Sequence, residues 1–246
     1  MTRRLVPLLV VAMLALLLVN APSHLLARVV GKQHIIANGY AGTLWHGSAD
    51  SVFVNAGHGY LQLGRVDWQL KPWSLLLLKP RLSVSSTWGQ QRLSADVTLL
   101  GSGVTHFDQL DAKLPAALIN DFTPFAVAGS VSAIFDHLYL EQGVPVAAEG
   151  TVVWQQAAWL SPAGVRTLGH YVLEVQQAAS EVLTGTVLSL AGPLRATGNL
   201  HFDGSSYGVD VILSSDVGFE EQLQQSLALF AQPVESGYRI ALTGKL

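Results

Sequence analysis

From residue 40 onward the chain alternates apolar and polar side chains almost one by one. A strand points successive side chains to opposite faces, so this period predicts a sheet with one apolar and one polar face. The pattern is cleanest at Leu194, Ala196, Gly198, Leu200 and Phe202, set against Arg195, Thr197, Asn199, His201 and Asp203. Asp203-Gly204-Ser205-Ser206 then reads as a turn, and Tyr207, Val209, Val211 and Leu213 as the return strand of an antiparallel hairpin. Tyr238, Ile240, Leu242, Gly244 and Leu246 repeat the pattern.

The same period runs through Tyr60 to Trp68, through a hairpin of Arg81 to Trp88 and Gln91 to Leu100, and through Gly129 to Leu140 with Val144 to Trp154 returning. Near His137 the apolar phase changes, which predicts a bulge or bend. Two segments read as helix instead. Asp111 to Asp121 is stopped by Thr123-Pro124, because the residue before proline is pushed out of the helical region. Asp216 to Phe230 has a cap at Ser215 or Asp216 and a helical stripe of Phe219, Leu223, Leu227 and Phe230. Glycine followed within four residues by an aromatic recurs at irregular intervals, beginning at Gly42, Gly150 and Gly198, as suits a bent sheet. The expected fold over residues 28–246 is therefore mainly β: a long, curved antiparallel sheet with one or two short covering helices.

Residues 1–27 are of another kind. Arg3 and Arg4 precede an unbroken apolar run from Leu5 to Val19 that includes Leu8, Leu9, Leu14, Leu16, Leu17 and Leu18. Fifteen apolar residues fit the core of a cleavable signal peptide, with Val19-Asn20-Ala21 at the peptidase site. Counting on to Leu26 gives about 22 residues, or roughly 33 Å of helix, enough to span a bilayer. The reading adopted is a retained single transmembrane helix, its amino end held in the cytoplasm by the two arginines. On either reading the chain from Arg28 onward is exported. The next aliphatic run, Leu75 to Leu78, follows Lys71-Pro72-Trp73 in an apolar turn ended by Pro80 and is too short for a second span.

Composition removes several classes of function. Charged residues make up 13% of the chain, about half the usual share of roughly 25%, and mean hydropathy is +0.36. So apolar a chain can offset its conformational entropy and is not disordered. A net charge of −3 offers no basic footprint for nucleic acid and no polybasic patch for anionic lipid. Without cysteine there is no disulfide, thiolate metal site or thiol nucleophile.

No residue pattern points to catalysis. The eight histidines contain no pair at the i, i+2 or i, i+4 spacing that a metal would use on a strand or helix. His46-Gly47-Ser48-Ala49-Asp50 holds the three residue types of a hydrolase relay, but sequence neighbours cannot assemble one, so His46 and Asp50 are read as solvent-facing strand residues. Glu220 and Glu221 are adjacent and point apart on a helix. No glycine-rich loop leads a strand into a helix, so no nucleotide site is expected. The expectation is a protein without enzymatic activity, cofactor, metal or small-molecule substrate. The six tryptophans either fill the core, each with its indole N–H on a carbonyl, or face lipid or a partner.

Three stretches carry a resemblance: Gly42-Thr43-Leu44-Trp45-His46-Gly47-Ser48-Ala49, Val66-Asp67-Trp68-Gln69-Leu70-Lys71-Pro72, and Ala191-Gly192-Pro193-Leu194-Arg195-Ala196-Thr197-Gly198. With Leu168 to Leu173 and Tyr238 to Leu246, the chain resembles the type II secretion system protein N family. Gly42, Thr43, Leu44, Trp45, Gly47, Trp68, Gly192, Pro193, Leu194, Gly198 and Tyr207 are the motif residues, with structural roles. The resemblance implies a single-pass protein of a Gram-negative inner membrane, with a periplasmic β domain and no catalytic residues. Its partners would be other secretion subunits and inner membrane lipid, in the export of folded proteins across the outer membrane. A rival reading is a membrane-tethered lipid or glycolipid carrier, because a bent sheet with an apolar face makes a groove for acyl chains. An outer-membrane barrel shares the alternation but would need aromatic girdles, which are missing.

Overall fold

The computed structural model describes residues 13, 16, 19–26, 35–55, 60–101, 103–120, 126–161, 164–177, 182–204, 206–219, 221–228 and 231–245. The chain divides into two compact units, Met1–Gly89 and Gln90–Leu246. The architecture is mainly β and antiparallel, as the alternation requires.

In the first unit, β1 (Ile35–Gly42), β2 (His46–Asn55), β3 (Tyr60–Leu70) and β4 (Arg81–Trp88) pair in succession. A short helix, α1 (Pro72–Leu76), connects β3 to β4. Strand β3 shows the one-by-one logic: Val66 and Leu70 are buried, while Arg65, Asp67 and Gln69 are exposed. Ala49, Val52 and Val66 form the core, with Tyr40, Val54, Trp68 and Val84 packed against them.

The second unit begins with β5 (Gln91–Gly101), β6 (Val104–Pro115), β7 (Val127–Glu141), β8 (Val144–Ser161) and β9 (Gly164–Gln177). It continues through β10 (Leu183–Ala191), β11 (Leu194–Phe202), β12 (Ser206–Ser215), the three-residue β13 (Gln232–Val234) and β14 (Gly237–Lys245). Neighbours follow chain order through β12, after which β14 pairs with β12 and β13 lies outside β14. Pro233 and the shortness of β13 blunt that edge against further pairing. The register shifts between Phe135 and His137 against β8, at the bulge that the phase change predicts.

Two expectations are corrected. Asp111 to Asp121 is not a helix. Residues up to Pro115 belong to β6, bonded to β5 on one side and β7 on the other, and only Ala116–Ile119 turns, as a 3₁₀ segment. Leu110, Ala112 and Leu114 alternate with Asp111 and Lys113, and two flanking ladders outweigh local helical propensity. Asp121 lies outside the described residues. The second helix is shorter than Asp216 to Phe230: α2 spans Glu221–Leu227. Before it, Ser215 accepts from the Gly218 N–H and its hydroxyl donates to the Gly218 carbonyl, closing a turn that delays the helix. Glu220 and Phe230 lie outside the described residues.

The transmembrane helix finds no support. Among the described residues no helix is long and apolar enough to cross a membrane. Leu5, Leu8, Leu9, Leu14, Leu17 and Leu18 lie outside the described residues. Met13, Leu16 and Val19 are helical and more than half exposed.

Candidate functional site

Both units are thinly covered, and among the described residues no large side chain falls below 2% exposure. A sheet with an apolar face normally buries it against a second layer. Among the described residues of the second unit that layer is little more than α2, and a cavity remains. Cross-strand register builds its floor. Val131 faces Trp154, which faces Tyr171; in the next row Val152 faces Leu173, which faces Val187. From the other side come Leu194, Ala196, Leu213 and Ile240, and from α2 come Leu223 and Leu227, one helical turn apart. The cavity is open to solvent on one side, has a volume of about 490 Å³, and its walls are almost wholly hydrocarbon.

Two polar groups at this wall are satisfied internally. The Trp154 indole N–H donates to the Ala128 carbonyl at 3.1 Å, and the Tyr171 hydroxyl donates to the Leu194 carbonyl at 2.9 Å. The rings lie 6.0 Å apart. The Trp154 indole and the Tyr171 hydroxyl are therefore both engaged with backbone carbonyls of the wall.

Burial pushes the Tyr171 phenol up to about 12. An unfolded tyrosine ionises near 10, so the neutral phenol's contribution is complete below pH 10 and is lost as pH rises through 12. Allowing for solvent at the cavity mouth, denaturant melts at pH 9 and pH 12 should differ by about 1–2 kcal/mol from this residue. Tyr171→Phe should remove that alkaline loss.

The motif residues make two corners. At the first, β1 ends at Gly42, Thr43 accepts from the His46 N–H through its side chain and donates its own N–H to the His46 carbonyl, and the turn closes on β2. Trp68 reaches across from β3, donates its indole N–H to the Leu44 carbonyl at 3.2 Å and meets Tyr40 edge to face. Its ring rests on Gly47, where a Cβ would press on Trp68 and come within 2.6 Å of the Thr43 carbonyl. The Trp45 carbonyl accepts from Leu70 N–H at 2.7 Å. At the second corner, Gly192 (φ 130°) lies directly against Gly169. Pro193 completes the turn into β11, and Leu194 is buried. Gly198 pairs with Val211, and Tyr207 packs beside Gly244.

The segment with hydrolase residue types forms no relay. His46 bonds Gln69, while Arg65 reaches both Ser48 and Asp50. On the polar face Arg239 grips Asp210, holding that carboxyl below its usual range. A cluster that histidine spacing did not reveal lies on β6 and β7: His106, Asp108 and His137 offer ligand atoms within 4.8 Å of one another. Asp108 Oδ1 lies 3.1 Å from His106 Nε2 and 3.0 Å from His137 Nδ1, and His106 stacks on Tyr139. Asp108 thus shares a hydrogen bond with His137 and lies at ion-pair distance from His106, joining β6 to β7. The sequence signal was a histidine and an aspartate two apart on one strand, with register supplying the third group.

The described residues thus form a mainly antiparallel β architecture with few helices and an apolar cavity on one face of the second unit. Residues 34–241 match the family described as Type II secretion system (T2SS), protein N, and the chain belongs to that family. Neither a curated protein nor a solved structure matches it. The family gives the chain an accessory role in type II secretion.

Proposed function

We propose that the chain is held in the inner membrane by its apolar amino-terminal segment and serves type II secretion by contacting other subunits through its exported β units, without catalysis. The observation that carries this reading is the family match across residues 34–241. Strand β1 stands first in the strand order, so among the described residues its outer backbone groups face no strand. Such an edge accepts a partner strand readily. The test is deletion of the gene with recovery by a plasmid copy. Enzymes secreted by the type II route should accumulate in the periplasm of the deletion strain, and the tagged chain should fractionate with inner membrane. Normal secretion together with outer-membrane residence would overturn the proposal.

The cavity favours one further reading: it holds an acyl chain or other apolar group. Protein purified in mild detergent should then carry lipid detectable by native mass spectrometry. Ala196→Phe, which fills the space, should lower the bound fraction at least about tenfold, since excluding a few methylenes costs more than 1.4 kcal/mol. Lipid-free wild-type protein would remove this reading.

A further inference from the structure

The connection from β3 to β4 inverts the usual rule of burial. Ser74 is its buried residue, whereas Trp73, Leu76, Leu77 and Leu78 are 79%, 73%, 74% and 86% exposed. Nothing in the turn is loose. The Ser74 hydroxyl donates to the Lys71 carbonyl and accepts from the Arg81 N–H, the Lys79 N–H donates to the Ser74 carbonyl, and Lys71 N–H donates to the Arg81 carbonyl. A polar side chain is thus used to hold four large apolar ones in water. Soluble surfaces rarely carry so contiguous an apolar patch without a use for it.

Two further observations say what covers this tip. Lys71, Lys79 and Arg81, all exposed, flank it, and tryptophan and leucine rimmed by basic residues is the composition of a membrane interface. The fold also places the tip beside the end of the apolar leader. The Leu44 N–H donates to the Ala21 carbonyl at 2.7 Å, and Pro22 bridges to Thr43, so the leader's exit is pinned to the β1–β2 turn. That same turn accepts, through the Trp45 carbonyl, from Leu70, the last residue of β3 before the tip.

We infer that Trp73, Leu76, Leu77 and Leu78 insert into the interface of the bilayer that receives the leader, as a second contact rimmed by Lys71, Lys79 and Arg81 at headgroup level. This rests on the anchoring proposed above. The two contacts together would fix the orientation of the first unit on the membrane, which a single contact could not do.

The chain has no cysteine, so a single introduced one can be labelled alone. Full-length Leu77→Cys, Tyr60→Cys and Leu16→Cys, each carrying a small environment-sensitive fluorophore, are reconstituted in vesicles of phosphatidylethanolamine and phosphatidylglycerol at 3:1. Tyr60 begins β3 and lies at the end of the strand remote from the tip. The label at 77 should be quenched by shallow spin-labelled lipid at least about threefold more than the label at 60, since interfacial side chains sit roughly 5–10 Å deep. If the label at 77 is no better quenched by lipid than that at 60, the inference is overturned. Shielding from aqueous iodide without lipid quenching would also overturn it, pointing to protein cover. The label at 16 reports the anchor separately. If it escapes lipid quenching, anchoring falls, while quenching at 77 still upholds the tip.

Discussion

Gly192→Val should cost the second unit about 4 kcal/mol and lower its melting temperature sharply. Two effects add. The backbone there has φ 130°, and a β-branched residue forced into such a conformation costs about 1–3 kcal/mol. A Cβ would also collide with Gly169 and stand 2.7 Å from the Leu168 carbonyl. Those atoms are backbone of the neighbouring strand and cannot swing aside, so overpacking adds about 1–3 kcal/mol. The sum is a large part of a typical stability of about 5–15 kcal/mol. Gly192→Ala should cost somewhat less. Circular dichroism melts and limited proteolysis read both, and a valine variant that melts like the parent would show that the strands do not approach here as described.

Trp68→Ala should cost the first unit about 3 kcal/mol, since truncating a large aromatic removes both its packing and its seat. The loss includes the hydrogen bond to Leu44, the edge contact with Tyr40 and the platform over Gly47. The turn that it clasps also holds Ala21, so early proteolytic cleavage near residues 21–45 is expected as well as a lower melting temperature. Trp68→Phe keeps the ring contact and should recover up to about two thirds of the loss, because the indole hydrogen bond accounts for about 1 kcal/mol. Equal losses for phenylalanine and alanine would place the energy in the hydrogen bond instead.

How far the sequence could be read follows from what each feature depends on. Alternation is local, so β11, β12 and β14 emerge at once, and so does the Asp203–Ser206 turn, where the Ser206 N–H donates to the Asp203 side chain. The bulge at His137 was visible as a break in phase. Asp111 to Pro115 was misread because helix and strand patterns overlap over so few residues, and only the neighbouring strands decide between them. The sequence marked the motif glycines only through a resemblance, while their surroundings are tertiary: Gly169 lies against Gly192, and Trp68 lies over Gly47. The cavity depends on how little of the apolar face α2 covers. Trp68 and Trp154 follow the core reading, with indoles on carbonyls, whereas Trp73 faces outward. Composition treats all three alike.

The most direct test of the account is quantitative affinity capture of the tagged chain from membranes of cells crosslinked while secreting, compared with cells lacking the secretion apparatus. The account predicts strong enrichment of type II secretion subunits over the comparison strain. A capture in which no secretion subunit exceeds background would contradict it.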